Sequence, residues 1–152
     1  YLNYKKIDVF KVIKMLLTHD LVEIYAGDTF CYDKKANESK RERELLAAEK
    51  ILGILDEDKG QDLRSLWDEF EEGKTPEALF AASMDRLQPM LCNYNNDGGT
   101  WKKFKVGKED IYKRIAPVKD SSDELWKFVE FMIEDSEKRG LILSDNVRDK
   151  IG

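Results

Sequence analysis

From Asp8 onward, apolar side chains recur at intervals of three and four: Val9, Phe10, Val12, Ile13, Leu16 and Leu17, with Lys11 and Lys14 between them. That is the period of an α-helix. It predicts a helix running to about Ile24 and stopping before the turn-prone Ala26-Gly27-Asp28. A second helix is announced by Ser39 with Glu42 three residues on, a capping box, ahead of Leu45, Leu46, Ile51 and Leu52. A third covers about Asp62 to Glu72, with Leu63, Leu66, Trp67 and Phe70 on one stripe and Gly73 as its stop. Thr75-Pro76-Glu77 then opens a helix that is apolar on nearly every side to about Tyr94. Asn95-Asn96-Asp97-Gly98-Gly99 reads as a loop, and a short helix is expected from Glu109 to Ile115, ended by Pro117. Ser121 and Glu124 form another capping box before Leu125, Trp126, Val129, Phe131, Met132 and Ile133, and Gly140 closes that helix. No alternating strand pattern and no internal repeat interrupts this. The expected fold is all-α, one domain over residues 1–152.

Composition narrows the class. The chain has 152 residues, 41% of them apolar, enough for a core, and 38% charged with both signs interspersed. Twenty-six basic against thirty-one acidic residues gives a net charge of −5, which argues against a nucleic acid polymer as partner. No apolar run reaches the length of a membrane span, and no signal-peptide pattern is present. Two cysteines, Cys31 and Cys92, are expected to be buried free thiols in a reducing compartment, hence a soluble, cytoplasmic protein. Lys40, Arg41 and Arg43, the lysines from Lys102 to Lys108, and the acidic run Asp68 to Glu72 are expected to be solvated faces. The chain opens on Tyr1 and enters its first helix almost at once, so upstream residues are expected to be missing.

Some charges fall where apolar residues are demanded. With Val9, Ile13 and Leu16 as the core stripe of the first helix, helical geometry carries the stripe on to Asp20, near the centre of the buried arc. An ionised carboxylate there costs several kcal/mol unless a cation or hydrogen bonds compensate. His19 adjoins it, and Glu23 lies one turn on from His19, about 5–6 Å away at Cβ. Asp85 interrupts the apolar run from Ala78 to Leu91 and is expected to be buried, with Ala78, Ala81 and Ala82 leaving room beside it. Two buried acids and a histidine invite a shared divalent cation. A network of caps and ion pairs is the alternative.

The string His19-Asp20-Leu21-Val22-Glu23-Ile24-Tyr25-Ala26-Gly27-Asp28 resembles the signature of the HD-domain metal-dependent phosphohydrolases. It is most similar to the branch holding the 5′-deoxynucleotidases. Arg41 to Leu46, Leu66 to Glu71, Ala81 to Leu91 and Gly99-Thr100-Trp101 extend the resemblance, which covers Lys11 to about Leu141. It implies an HD-domain helical bundle in which His19, Asp20 and Asp85 are metal ligands, and Glu23 and Asp28 are the acidic residues at the substrate. The family pattern also has an upstream histidine. His19 is the only histidine in this chain, so the site is incomplete as it stands, and the domain is expected to lack its N-terminal helix or helices.

What the resemblance implies is hydrolysis of (deoxy)nucleoside 5′-monophosphates to nucleoside and phosphate, with manganese, cobalt or magnesium as the cation and a homodimer as the assembly. A divalent cation activates water and neutralises charge on phosphoryl oxygens. Glu23 is placed to orient that water or exchange its proton, and Asp28 to contact the sugar or the leaving 5′ oxygen. A phosphodiesterase, a hydrolase of another phosphorylated metabolite, and a non-catalytic helical binding protein are the alternatives.

Overall fold

The computed structural model describes residues 6–28, 31–32 and 38–143. The chain divides into two compact units, the first from Ile7 to Ala81 and the second from Ala82 on. Among the described residues every regular element is helical, apart from one isolated parallel bridge between Gly107 and Leu143. The all-α expectation holds.

In the first unit, α1 spans Val9–Thr18. Asp8 caps it, its carboxylate accepting from the Lys11 amide at 3.0 Å. The helix then tightens into a 3-10 turn, His19–Val22, and resumes as α2, Glu23–Ala26. The single long helix expected to Ile24 is therefore broken at His19. α3 covers Lys40–Leu52 and α4 covers Glu57–Glu72, starting a turn before the expected Asp62 and ending at left-handed Gly73 as expected. Ser39 is the N-cap of α3, yet its side chain makes no capping bond. α5 runs over Pro76–Asn95, its start satisfied by Thr75 Oγ1, which accepts from the Ala78 amide at 3.2 Å.

The core of this unit is two clusters. Val12 and Met15 of α1 pack with Ala78 and Ala81, flanked by Leu16, Leu66 and Phe70. Val22 packs with Ala47, Ala48, Leu52 and Trp67. The space left by Ala78 and Ala81 is thus filled by α1 and not held open for a ligand. α3 and α4 come so close that a Cβ on Gly60 would stand 2.7 Å from the Leu52 carbonyl.

In the second unit, α6 (Gly99–Lys103) follows a turn at residues 96–98, so the expected loop is shorter than its sequence suggested. α7 spans Lys108–Ile115, α8 Pro117–Ser121 and α9 Asp123–Lys138. Pro117 starts a helix rather than merely ending one, because a proline in the first turn leaves no amide unsatisfied. The cap of α9 is Ser122, one residue later than expected, its Oγ accepting from the Leu125 amide. Trp101, Ile115, Val118, Val129, Met132 and Ile133 are all buried.

Candidate metal centre and active site

The break after α1 decides what the site residues meet. The buried positions are Val12, Met15, Thr18 and Val22, whereas Val9 is 60% and Ile13 47% exposed. Asp20 is consequently not in the buried arc: its side chain is 67% exposed. The expectation failed because α1 is apolar on two faces, and spacing alone does not say which is covered. The tighter 3-10 turn then shifts the phase of every residue from His19 on.

His19 is held on two sides. Its Nδ1 lies 2.9 Å from the Leu16 carbonyl, which can only accept, so Nδ1 carries the hydrogen. Its ring packs against Phe70 with centroids 4.5 Å apart. This fixes Nε2 on the side of Asp20, whose Oδ1 is 3.0 Å away. Histidine metal ligands are commonly oriented in this manner by a carbonyl at the other ring nitrogen. The separation also suits a cation: two adjacent donors about 2.1 Å from a six-coordinate centre stand about 3.0 Å apart. His19 and Asp20 thus fit as two neighbouring ligands. Among the described residues, no group of three His, Cys, Asp or Glu side chains is placed to hold a metal ion.

Carboxylates gather around this pair. Glu23, half-buried at the start of α2, has its pKa raised above the ordinary value by burial, then by the negative charges of Asp28 and Asp20. Asp28 is exposed, two residues past the end of α2. Glu71 is also pushed up, by burial and by Glu44, although Arg41 lies 3.1 Å from it. Glu44 is itself buried and pairs with Lys40 at 3.3 Å. The basic residues of α3 are therefore not a solvated face. Lys40 and Arg41 neutralise these acids, and Arg43 donates to the Ala26 carbonyl at 2.7 Å. The acidic run of α4 is likewise engaged: Asp68 with Arg64, Glu69 with Lys11 and Thr75. Glu44, Glu71 and Arg43 did not stand out in the sequence. One signal was available, since Glu44 lies three and four residues before Ala47 and Ala48, on the buried side of α3.

Asp85 lies on the part of α5 that belongs to the second unit. It is not fully buried as expected: its side chain is 29% exposed and lies 3.7 Å from Arg114. Cys31 and Cys92 are free thiols, but exposed rather than buried. Trp67 is core, 1% exposed, as expected.

A family model described as HD domain matches residues 1–126. The chain belongs to the HD-domain family. The resemblance read from the His19–Asp28 segment is thereby borne out. This HD domain is 39% identical over 90 residues to a 5′-deoxynucleotidase of Dictyostelium discoideum, covering 59% of the chain and 47% of that protein. It is 32% identical over 81 residues to the human 5′-deoxynucleotidase of the same name, covering 53% and 40%. It therefore spans less than half the length of these relatives within the matched regions. A crystal structure from Magnetospirillum magnetotacticum, described as a predicted metal-dependent phosphohydrolase, superposes with a TM-score of 0.86 at 35% identity, covering 93% of this chain and 72% of that one.

Proposed function

We propose that this HD domain is a metal-dependent phosphohydrolase that cleaves deoxynucleoside 5′-monophosphates to a nucleoside and phosphate. The observation that carries the reading is the His19–Asp20 pair, with Nε2 and Oδ1 3.0 Å apart and Nδ1 anchored on the Leu16 carbonyl. The names of the deoxynucleotidase relatives support the substrate class.

His19 and Asp20 would hold a divalent cation, and the family resemblance adds Asp85 as a further ligand. The cation, when bound, supplies positive charge toward the phosphoryl oxygens and lowers the pKa of a water. Glu23 serves as the base: its raised proton affinity suits it to take the proton of the attacking water as the bond from oxygen to phosphorus forms. The bond from phosphorus to the 5′ oxygen breaks, and the proton returns to that oxygen. Asp28, exposed at the end of the turn, contacts the sugar or assists the leaving oxygen. Manganese, cobalt or magnesium fits the one nitrogen and several oxygen donors of this set. The same reading carries a single HD domain over residues 1–152, a homodimer, and a cytoplasmic location. Among the described residues no helix is long and apolar enough to cross a membrane.

The test is phosphate release from ribo- and deoxyribonucleoside 5′- and 3′-monophosphates with each metal in turn. Cleavage of the 5′-deoxy compounds, abolished by a chelator, is expected. Equal cleavage of 3′-monophosphates would overturn the substrate assignment. No release with any metal would leave a non-catalytic helical protein as the better reading.

A further inference from the structure

α2 is a single turn, four residues long, yet it carries Glu23 at its start and is followed two residues beyond its end by Asp28. A helix this short has no cooperative stability of its own. Its geometry has to be imposed by what it packs on. Within the turn, the Gly27 amide donates to the Glu23 carbonyl at 2.8 Å, and Gly27 then takes φ +76° to redirect the chain. The carbonyl of Ala26, last in the helix, has no partner within α2.

One face of α3 supplies the missing constraints. Arg43, Ala47 and Lys50 lie on it at helical spacing. Arg43 Nη1 donates to the Ala26 carbonyl at 2.7 Å across seventeen residues of sequence. Ala47 is buried with Val22, and Ala26 packs against that cluster. Lys50 Nζ stands 3.8 Å above the ring of Tyr25. Of these contacts, the Arg43 bond is the one that holds the backbone between the two acidic residues, at the last carbonyl of α2.

We propose that Arg43 is a positioning residue, which ties the end of α2 to α3 and so sets Asp28 relative to Glu23. The assignment rests on the phosphohydrolase reading for its catalytic consequence, and on the fold alone for its structural one. A guanidinium suits the task because it stays charged at every working pH and keeps its donors in a fixed plane. Partners that orient metal-ligating side chains typically change activity by about 10–100-fold when removed, and the same range is taken for this anchor on the backbone that carries Glu23 and Asp28.

The experiment compares full chains carrying Arg43→Met and Arg43→Lys with the wild type by amide hydrogen exchange and by steady-state kinetics. Arg43→Met should speed exchange at Gly27, whose amide is bonded to the Glu23 carbonyl, about tenfold, the size of one net hydrogen bond, while amides of α4 keep their rates. It should lower kcat by about 10–100-fold with KM little changed. Arg43→Lys retains a donor for the Ala26 carbonyl and should recover most of both effects. Unaltered exchange at Gly27 in Arg43→Met overturns the assignment, as does a loss of kcat that Arg43→Lys fails to recover. If Arg43→Met unfolds, Arg43→Lys decides: slow exchange at Gly27 supports the assignment and fast exchange overturns it. If the wild type releases no phosphate, the functional reading fails separately, and Gly27 exchange still decides what Arg43 holds.

Discussion

Two carboxylate neighbourhoods, one in each unit, are treated in opposite ways. Around the His19 turn of the first, Glu23 and Glu71 are held above the ordinary carboxylate range, chiefly by burial and then by other acids. In the second, Asp135 is held below it, because the Tyr94 hydroxyl donates to it at 2.8 Å and Arg139 lies alongside. The contrast is not one between whole units. Glu69, in the first, is also lowered: burial works against its ionised form, but hydrogen bonds from Lys11 and Thr75 prevail. Where a carboxylate serves the fold, donors are brought to it. Around His19 acids are crowded together and buried beyond what Lys40 and Arg41 offset, an arrangement that costs stability and that functional sites commonly show.

The sharpest test of this contrast is Asp85, which stands in the second unit as an ion-pair partner and in the proposed chemistry as a ligand. Asp85→Ala should abolish metal-dependent phosphate release. Loss of the Arg114 pair itself should cost about 1 kcal/mol or less in thermal or chemical unfolding, as befits a partly exposed pair. Full activity in that variant would confine the site to the first unit. Glu23→Gln should come next, lowering kcat by about 10²–10⁴-fold, the usual worth of a lost general base. Metal binding, followed by calorimetry, should be unchanged.

Smaller effects follow from linkage, and they should have opposite signs. Glu71 titrates above its ordinary 4.5 in the folded chain, so its stabilising contribution is present below that value and is lost as pH rises through the folded pKa. Glu71→Gln removes the unfavourable ionised form and should raise Tm at pH 7, with the gain shrinking toward pH 4. Asp135 is the reverse case. Its contribution is present above the unfolded pKa, ordinarily 3.8, and is lost as pH falls through the folded one. Tyr94→Phe should therefore lower Tm modestly at pH 7 and less at pH 3. Melting curves at the two pH values check both, and equal signs would dissolve the contrast.

Much of the fold was legible because helices are written locally. Periodicity located α1, α3, α4, α5, α7 and α9, and cap residues such as Thr75 and Gly73 marked ends to within a few residues. Failures came where a local pattern had two solutions. Two apolar faces on α1 left its buried side open, and the turn at His19 lacks any proline or glycine to announce it. The site was legible in part. His19 and Asp20 are adjacent in the chain and adjacent in space, and Glu23 is one turn on, so their grouping needed no tertiary information.

By itself, then, the sequence determined the helical class, the family, and the cluster of His19, Asp20, Glu23 and Asp28, since all of these depend on residues close together along the chain. Only the tertiary structure decided which residues outside that segment act on it. Glu44, Glu71 and Arg43 reach the turn from α3 and α4, seventeen or more residues away from the residues they meet there, and Arg41 joins through Glu71. Their burial, charge state and hydrogen bonds are set by how those helices pack. The physical reason is that a carboxylate's pKa and an arginine's partner are properties of a neighbourhood, and packing, not spacing along the chain, assembles it.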